Sequence, residues 1–242
     1  MNAKLWTRCF LMTIFISKVV SATALAEARL TILIYDRARV GSKTLIQAER
    51  VASEIFSYAG VEAQWRTRSD FDSDALVNDF SPSAAGCAQP LNSANITAAI
   101  LAHAPSGLPP QALGYALPCA NRGIQATIYA DRVEIVSRKT LASFYRVLGN
   151  AVAHELGHVL LRSCVHGNSA LMKGIWAKSD WQRAAVGIVP FTPDQAKSIR
   201  QELLRIELPE TATLQSSAIQ LAGSQRTSSA LNGARNDRSN SQ

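Results

Sequence analysis

His154-Glu155-Leu156-Gly157-His158 places two imidazoles four residues apart, with a carboxyl beside the first. On a helix such positions share a face, so both rings can reach one zinc ion. Glu155 is then placed to take a proton from a water that the metal activates. Zinc lowers the pKa of such a water toward ~7, which makes hydroxide available near neutral pH. H-E-x-x-H also occurs on helices that bind no metal. Here two of the chain's 4 histidines form it, and a third follows shortly.

That third is His166, beyond Arg162-Ser163, where the helix is expected to end. A catalytic zinc keeps three protein ligands and one open position. A chain folding back after the helix would bring His166 to the same metal. Cys164 is an alternative ligand, since Cys also binds zinc. Neutral imidazole leaves a hydrolytic zinc more Lewis-acidic than thiolate does, which favours His166. Met172 follows in Ser169-Ala170-Leu171-Met172 and can be read simply as core filler. His103 reads as an ordinary polar residue at a strand edge.

The elements that must position these residues follow from periodicity. Residues 137–162 carry the longest helical pattern, with Leu141, Phe144, Leu148, Ala151 and Val152 as the apolar stripe. Gly149 and Gly157 interrupt it, at about 1 kcal/mol each relative to Ala. Residues 29–35 are β-branched and apolar and predict a strand. Ser42 can cap a following helix, in which Leu45, Ile46, Val51, Ile55 and Phe56 recur at helical spacing and which Gly60 ends. Residues 61–67, 95–103, 112–117 and 124–130 predict four more strands, and residues 70–90 a long loop. A last helix starts at Thr192-Pro193, where Thr192 caps and Pro193 takes the first helical position.

The site residues resemble the metzincin clan of zinc peptidases. Its extended motif is H-E-x-x-H-x-x-G-x-x-H, followed by a turn containing Met beneath the zinc. His154, Glu155, His158 and Met172 match it. Ala153-His154-Glu155-Leu156-Gly157-His158-Val159-Leu160-Leu161-Arg162-Ser163-Cys164-Val165-His166, then Ala170-Leu171-Met172, is similar to small secreted bacterial proteins reading A-H-E-L-G-H-L-L-L-G-S-x-x-H-x-x-x-G-L-M. The likeness spans roughly residues 29–206, specific at the zinc motif and loose elsewhere.

Several positions depart from the pattern. Leu161 stands at the usual metzincin Gly, Arg162 at the Gly of the smaller group, and Cys164 at the usual third His. An Arg forced to positive φ meets a steric cost that Gly avoids. Lys173-Gly174-Ile175-Trp176 lacks the Tyr sometimes found after the Met turn, so no oxyanion partner is assigned.

The resemblance implies an α+β (α/β-like) fold: a twisted mixed sheet of four to five strands packed on a zinc-binding helix and a second long helix. It implies one catalytic Zn2+ and a peptide or protein substrate laid along the edge strand at residues 112–117. Gly114 and Tyr115 are the candidates there. The physics is β-augmentation, in which backbone hydrogen bonds hold the peptide without reading its side chains. Gly114 would permit close approach or merely relieve a turn.

Composition frames the rest. The 242 residues are 47% hydrophobic and 18% charged, which suits one packed domain with tails rather than a disordered chain. Residues 1–26 read as a secretory signal: Lys4 and Arg8, an apolar run, then Ala24-Leu25-Ala26 as the cleavage pattern. Lys18 leaves the run short of the ~20 apolar residues that span a bilayer. No later segment is a candidate span, so no stable membrane insertion is expected after cleavage, and the address is secreted or periplasmic. The domain is placed at 27–207 and a disordered polar tail at 208–242.

Lys4, Arg8 and Lys18 are three of the 25 basic residues, against 18 acidic ones, so from Glu27 onward the excess falls from +7 to +4. So mild and scattered an excess, with only 7% aromatics, makes nucleic acid an unexpected partner. Export makes the cysteines informative. Cys87 and Cys119, both in loop-like Pro-containing sequence, form the preferred disulfide, and pairings with Cys164 stay open. These readings converge on an exported zinc-dependent endopeptidase. The alternatives are a zinc-bound scaffold or binding protein without turnover, and a hydrolase of cell-wall peptides.

Overall fold

A computed structural model describes residues 28–68, 91, 94–120 and 124–207. The expected signal at 1–26, the whole loop at 70–90 with Cys87, and the tail at 208–242 lie outside the described residues. Among the described residues no helix is long and apolar enough to cross a membrane.

Five strands form one sheet: β1 (Ala28–Asp36), β2 (Val61–Arg68), β3 (Asn95–Leu101), β4 (Gly114–Ala116) and β5 (Ala126–Tyr129). Their order is β2-β1-β3-β5-β4. The first four in that order run parallel, and β4 closes the edge antiparallel to β5. The mixed sheet therefore matches the expectation, with 112–117 contracted to a three-residue edge strand.

Alternation along β1 sends Leu30, Ile32 and Ile34 into the core and leaves Arg29 exposed. Those residues join one apolar cluster with Val51, Ile55 and Phe56 of α1 (Ser42–Tyr58) and Leu148 and Val152 of α3 (Phe144–Leu160). Each such side chain contributes about 1.5–3 kcal/mol on burial. α1 starts at Gly41 with no side-chain cap bond, so Ser42 does not perform the capping expected of it. Gly60 ends that helix with φ 71°, a left-handed conformation that suits Gly.

The long helix expected over 137–162 is two helices. α2 (Ala130–Thr140) leaves β5 directly, and α3 begins only at Phe144. Between them Leu141 turns left-handed with φ 59° and stands 92% exposed, so it is not part of the apolar stripe. Ser137 Oγ donates to the Ala142 carbonyl at 2.7 Å, and Thr140 Oγ1 to the Val136 carbonyl at 2.7 Å, which holds the corner. Ser143 caps α3 without a side-chain bond, so the restart carries little sequence signal.

The two helix glycines have packing reasons. A Cβ on Gly149 would lie 2.6 Å from the Ala48 carbonyl oxygen of α1, so Gly149 lets the two helices approach closely. A Cβ on Gly157 would lie 2.7 Å from Met172 Sδ and 2.7 Å from Phe191. A short helix, α4 (Lys178–Val186), was not expected from the sequence. Asp180 starts it by accepting from the Ala177 N–H at 2.7 Å. α5 (Pro193–Glu207) opens as expected at Thr192. Thr192 Oγ1 accepts from the Gln195 N–H at 3.3 Å, and Gln195 Oε1 accepts from the Thr192 N–H at 3.0 Å, a capping box.

Candidate metal centre

His154 and His158 face one way from the last two turns of α3. The helix then ends in a Schellman turn. The Ser163 N–H donates to the His158 carbonyl at 3.1 Å and the Arg162 N–H to the Val159 carbonyl at 3.2 Å. Arg162 occupies the left-handed position, φ 53°, where the smaller sequence group has Gly. The turn reverses the chain and carries Cys164 and His166 back toward the helix.

A second tie fixes the returning arm. The Gly167 N–H donates to the Met172 carbonyl at 2.7 Å, and Gly167 bridges Lys173 in parallel. Gly174 lies against the His166 ring: a Cβ there would sit 3.0 Å from His166 Cγ and would make the ring shift by a few tenths of an ångström. Met172 is fully buried behind α3 at Gly157, directly after Leu171. Met172 is thus core and turn at once.

The three rings converge. His158 Nε2 lies 3.2 Å from His154 Nε2 and 3.2 Å from His166 Nε2. Among the described residues, these three form the one group of three or more His, Cys, Asp or Glu side chains that could hold a metal ion. Cys164 is free and exposed, outside that group, and lines the same cavity.

Protonation follows from the partners. His154 Nδ1 donates to the Leu171 carbonyl at 2.8 Å, and His158 Nδ1 donates to the Ser163 carbonyl at 2.7 Å. A carbonyl can only accept, so Nδ1 carries the proton and Nε2 keeps its lone pair in the neutral ring. Burial holds His154 down to about 4 and pushes His158 below its ordinary value. Both rings are therefore neutral near pH 7, the form that ligates. The residues fit a zinc ion: three imidazole nitrogens aimed at one point, two of them oriented by backbone carbonyls.

Glu155 sits beside them, buried, and burial alone pushes its carboxyl up to about 8. It projects to the edge strand. A Cβ on Gly114 would lie 2.6 Å from Glu155 Cγ, 2.8 Å from its Oε1 and 2.7 Å from the Thr127 carbonyl oxygen. Gly114 thus makes room for the carboxyl side chain, a reason neither a turn nor a substrate supplies. Tyr115 is half-exposed on the same edge. Its neighbour Tyr129 is buried, and burial, then the Glu155 charge, raise its hydroxyl pKa.

A cavity of about 430 Å3 is lined by the histidines, Glu155, Gly114, Tyr115, Asn150 and Trp181. Asn150 and the tryptophans were missed in the sequence. The signal for Asn150 was present: it lies four residues before His154, on the same helical stripe. His103 pairs with Asp131 at 3.8 Å and stands largely exposed, away from the centre. Cys119 takes part in a disulfide.

No protein-family description matches the chain, and no curated protein does. Solved structures do. A zinc-dependent peptidase from Methanocorpusculum labreanum (strain Z) matches 69% of this chain and 99% of that one, at 12% identity and a TM-score of 0.46. An archaemetzincin from Methanopyrus kandleri matches 74% and 98%, at 15% identity and a TM-score of 0.42. An archaemetzincin from Archaeoglobus fulgidus, solved with malonate, matches 70% and 99%, at 20% identity and a TM-score of 0.41. These likenesses are distant in sequence and in superposition.

Proposed function

We propose that the chain is an exported zinc-dependent endopeptidase of metzincin-like fold, with His154, His158 and His166 holding one Zn2+ and Glu155 as general base. One observation carries this reading. Three Nε2 atoms meet at one point, with two of the opposite ring nitrogens bound to carbonyls, and a buried carboxyl shares their cavity. A purely structural histidine cluster has no use for that carboxyl.

Zinc held there supplies Lewis acidity, which polarises a scissile carbonyl and makes a water more acidic. Glu155 accepts a proton from the attacking water as the new C–O bond forms. It returns that proton to the amine nitrogen as the C–N bond breaks. The apolar surroundings that raise the Glu155 pKa make its carboxylate the stronger base. Among the described residues β4 pairs on one side only, so its edge at Gly114 and Tyr115 offers backbone groups to an extended peptide. The reading takes residues 1–26 as the export signal, 27–207 as the catalytic domain and 208–242 as a polar tail. Cys87 is the proposed partner of Cys119.

The test is cleavage of a diverse peptide library by zinc-loaded protein, with Glu155→Gln beside it. Cleavage by the wild type alone supports the reading. Equal cleavage by both removes Glu155 from the mechanism. A zinc scaffold without turnover is the second reading, motivated by Cys164 in the same cavity. Its mark is a zinc–sulfur shell near ~2.3 Å in X-ray absorption.

A further inference from the structure

The cavity that holds the metal centre also has a chemically unusual wall. Leu113, Val136, Ala151, Trp176 and Trp181 line it with apolar surface. Asn150 lines it too, although Asn150 is only 2% exposed. The amide orientation is fixed: Nδ2 donates to the Arg146 carbonyl at 2.8 Å, and a carbonyl cannot donate in return. That leaves Asn150 Oδ1 buried, with no hydrogen-bond partner among the described residues. An acceptor left so costs about 1–3 kcal/mol. Packing does not need it, since an apolar residue of similar size would fill the space.

Asn150, His154 and His158 share one stripe of α3, so the amide lies one helical turn, about 6 Å along the axis, from the first histidine. That is the reach of an aromatic side chain whose backbone lies at the metal. We infer that Asn150 is a specificity residue, and that the cavity takes a substrate side chain with an aromatic body and one donor at its tip, tyrosine or tryptophan. Leu or Phe would fill the apolar walls but leave Oδ1 unpaired. Lys or Arg would bury a charge against a neutral amide. A phenol or indole satisfies both the walls and the oxygen. Oδ1 has almost no exposed surface, so a donor reaches it with a small shift of the side chains around it.

The inference rests on the peptidase reading for its substrate, but the cavity can be tested without turnover. Side-chain analogues are titrated into zinc-loaded protein by ligand-observed NMR: p-cresol and 3-methylindole as donors, toluene and 4-methylanisole as non-donors. The donors are expected to bind about 5–10-fold tighter, the range of one net hydrogen bond. Asn150→Leu should erase that preference and keep toluene binding. Equal binding by the wild type overturns the inference, as does no binding of any analogue. A preference that survives in Asn150→Leu also overturns it, because the phenol is then reading the metal instead. If Asn150→Leu does not fold, p-cresol is compared with 4-methylanisole in metal-free wild-type protein, where no metal can bind the phenol, and loss of the preference there overturns the inference. The peptide library separates the two readings. No cleavage by the wild type sinks the peptidase reading, whatever the analogues do. Cleavage with Phe as good as Tyr and Trp at every subsite sinks only the role of Asn150.

Discussion

Three imidazoles serve one metal only if each offers an unprotonated nitrogen to the same point. In this chain two of those choices are made by backbone: the Leu171 and Ser163 carbonyls take the Nδ1 protons of His154 and His158. At the same scale, Glu155→Gln should keep the zinc content near one per chain and lower turnover by about 10²–10⁴. Metal analysis beside peptide cleavage checks this. The metal-free protein gives a second prediction. Burial holds the Glu155 carboxyl at about 8 instead of 4.5, so the folded state binds a proton the unfolded chain releases. Its stabilising contribution is complete below pH 4.5 and is lost as pH rises through about 8. His154 runs the other way: held near 4, it withdraws stability as pH falls from 6.5 toward 4. The Tm of metal-free protein should therefore decline as pH rises from 6.5 to about 8, and Glu155→Gln should flatten that decline and leave the loss of stability below 6.5. A decline between pH 6.5 and about 8 that is unchanged in Glu155→Gln would rule out this carboxyl as its cause.

At the scale of elements, the site is set by close approaches that only glycine permits. Gly114→Ala would drive a Cβ into Glu155 Cγ and the Thr127 carbonyl. It should cost about tenfold or more in kcat through a displaced carboxyl, with zinc content unchanged; steady-state kinetics with metal analysis reads both. Ala170 invites the opposite substitution. It holds φ 59° in the turn before Met172, and only a partly buried methyl is lost. Ala170→Gly should stabilise by about 0.5–1 kcal/mol in denaturant unfolding, as relief of left-handed strain outweighs the added chain entropy. The elements were legible where a strong local signal marks them: Gly60 after α1, Thr192-Pro193 before α5, the β-branched, apolar run of β1. The break at Leu141 was not. Its spacing continues the apolar stripe, and the hydroxyl bonds that turn the corner have no distinctive sequence pattern. α4 escaped for a related reason, being short, mostly polar and started by one aspartate.

At the scale of the whole molecule, the arm from Arg162 to Gly174 is tied to α3 through the histidines as well as through packing. Zinc bound there would link the two. Chelation should abolish turnover and lower Tm, and zinc at 100 times its Kd should restore about 2.7 kcal/mol, read by thermal unfolding with and without metal. No Tm change on chelation would detach the metal from the fold. The sequence by itself determined the pair His154 and His158 with Glu155, because helical spacing alone puts i and i+4 on one face. It also determined the strand pattern, because period-2 alternation follows from which face is wet. Only the tertiary structure decided the rest. His166 reaches the pair because a Schellman turn takes an Arg in a left-handed conformation. Gly114 matters because a carboxyl from another element fills the space beside it. Asn150 faces an apolar cavity because α2, β4 and Trp181 close around it. Each of these depends on contacts between residues far apart in the chain, and local composition carries no record of them.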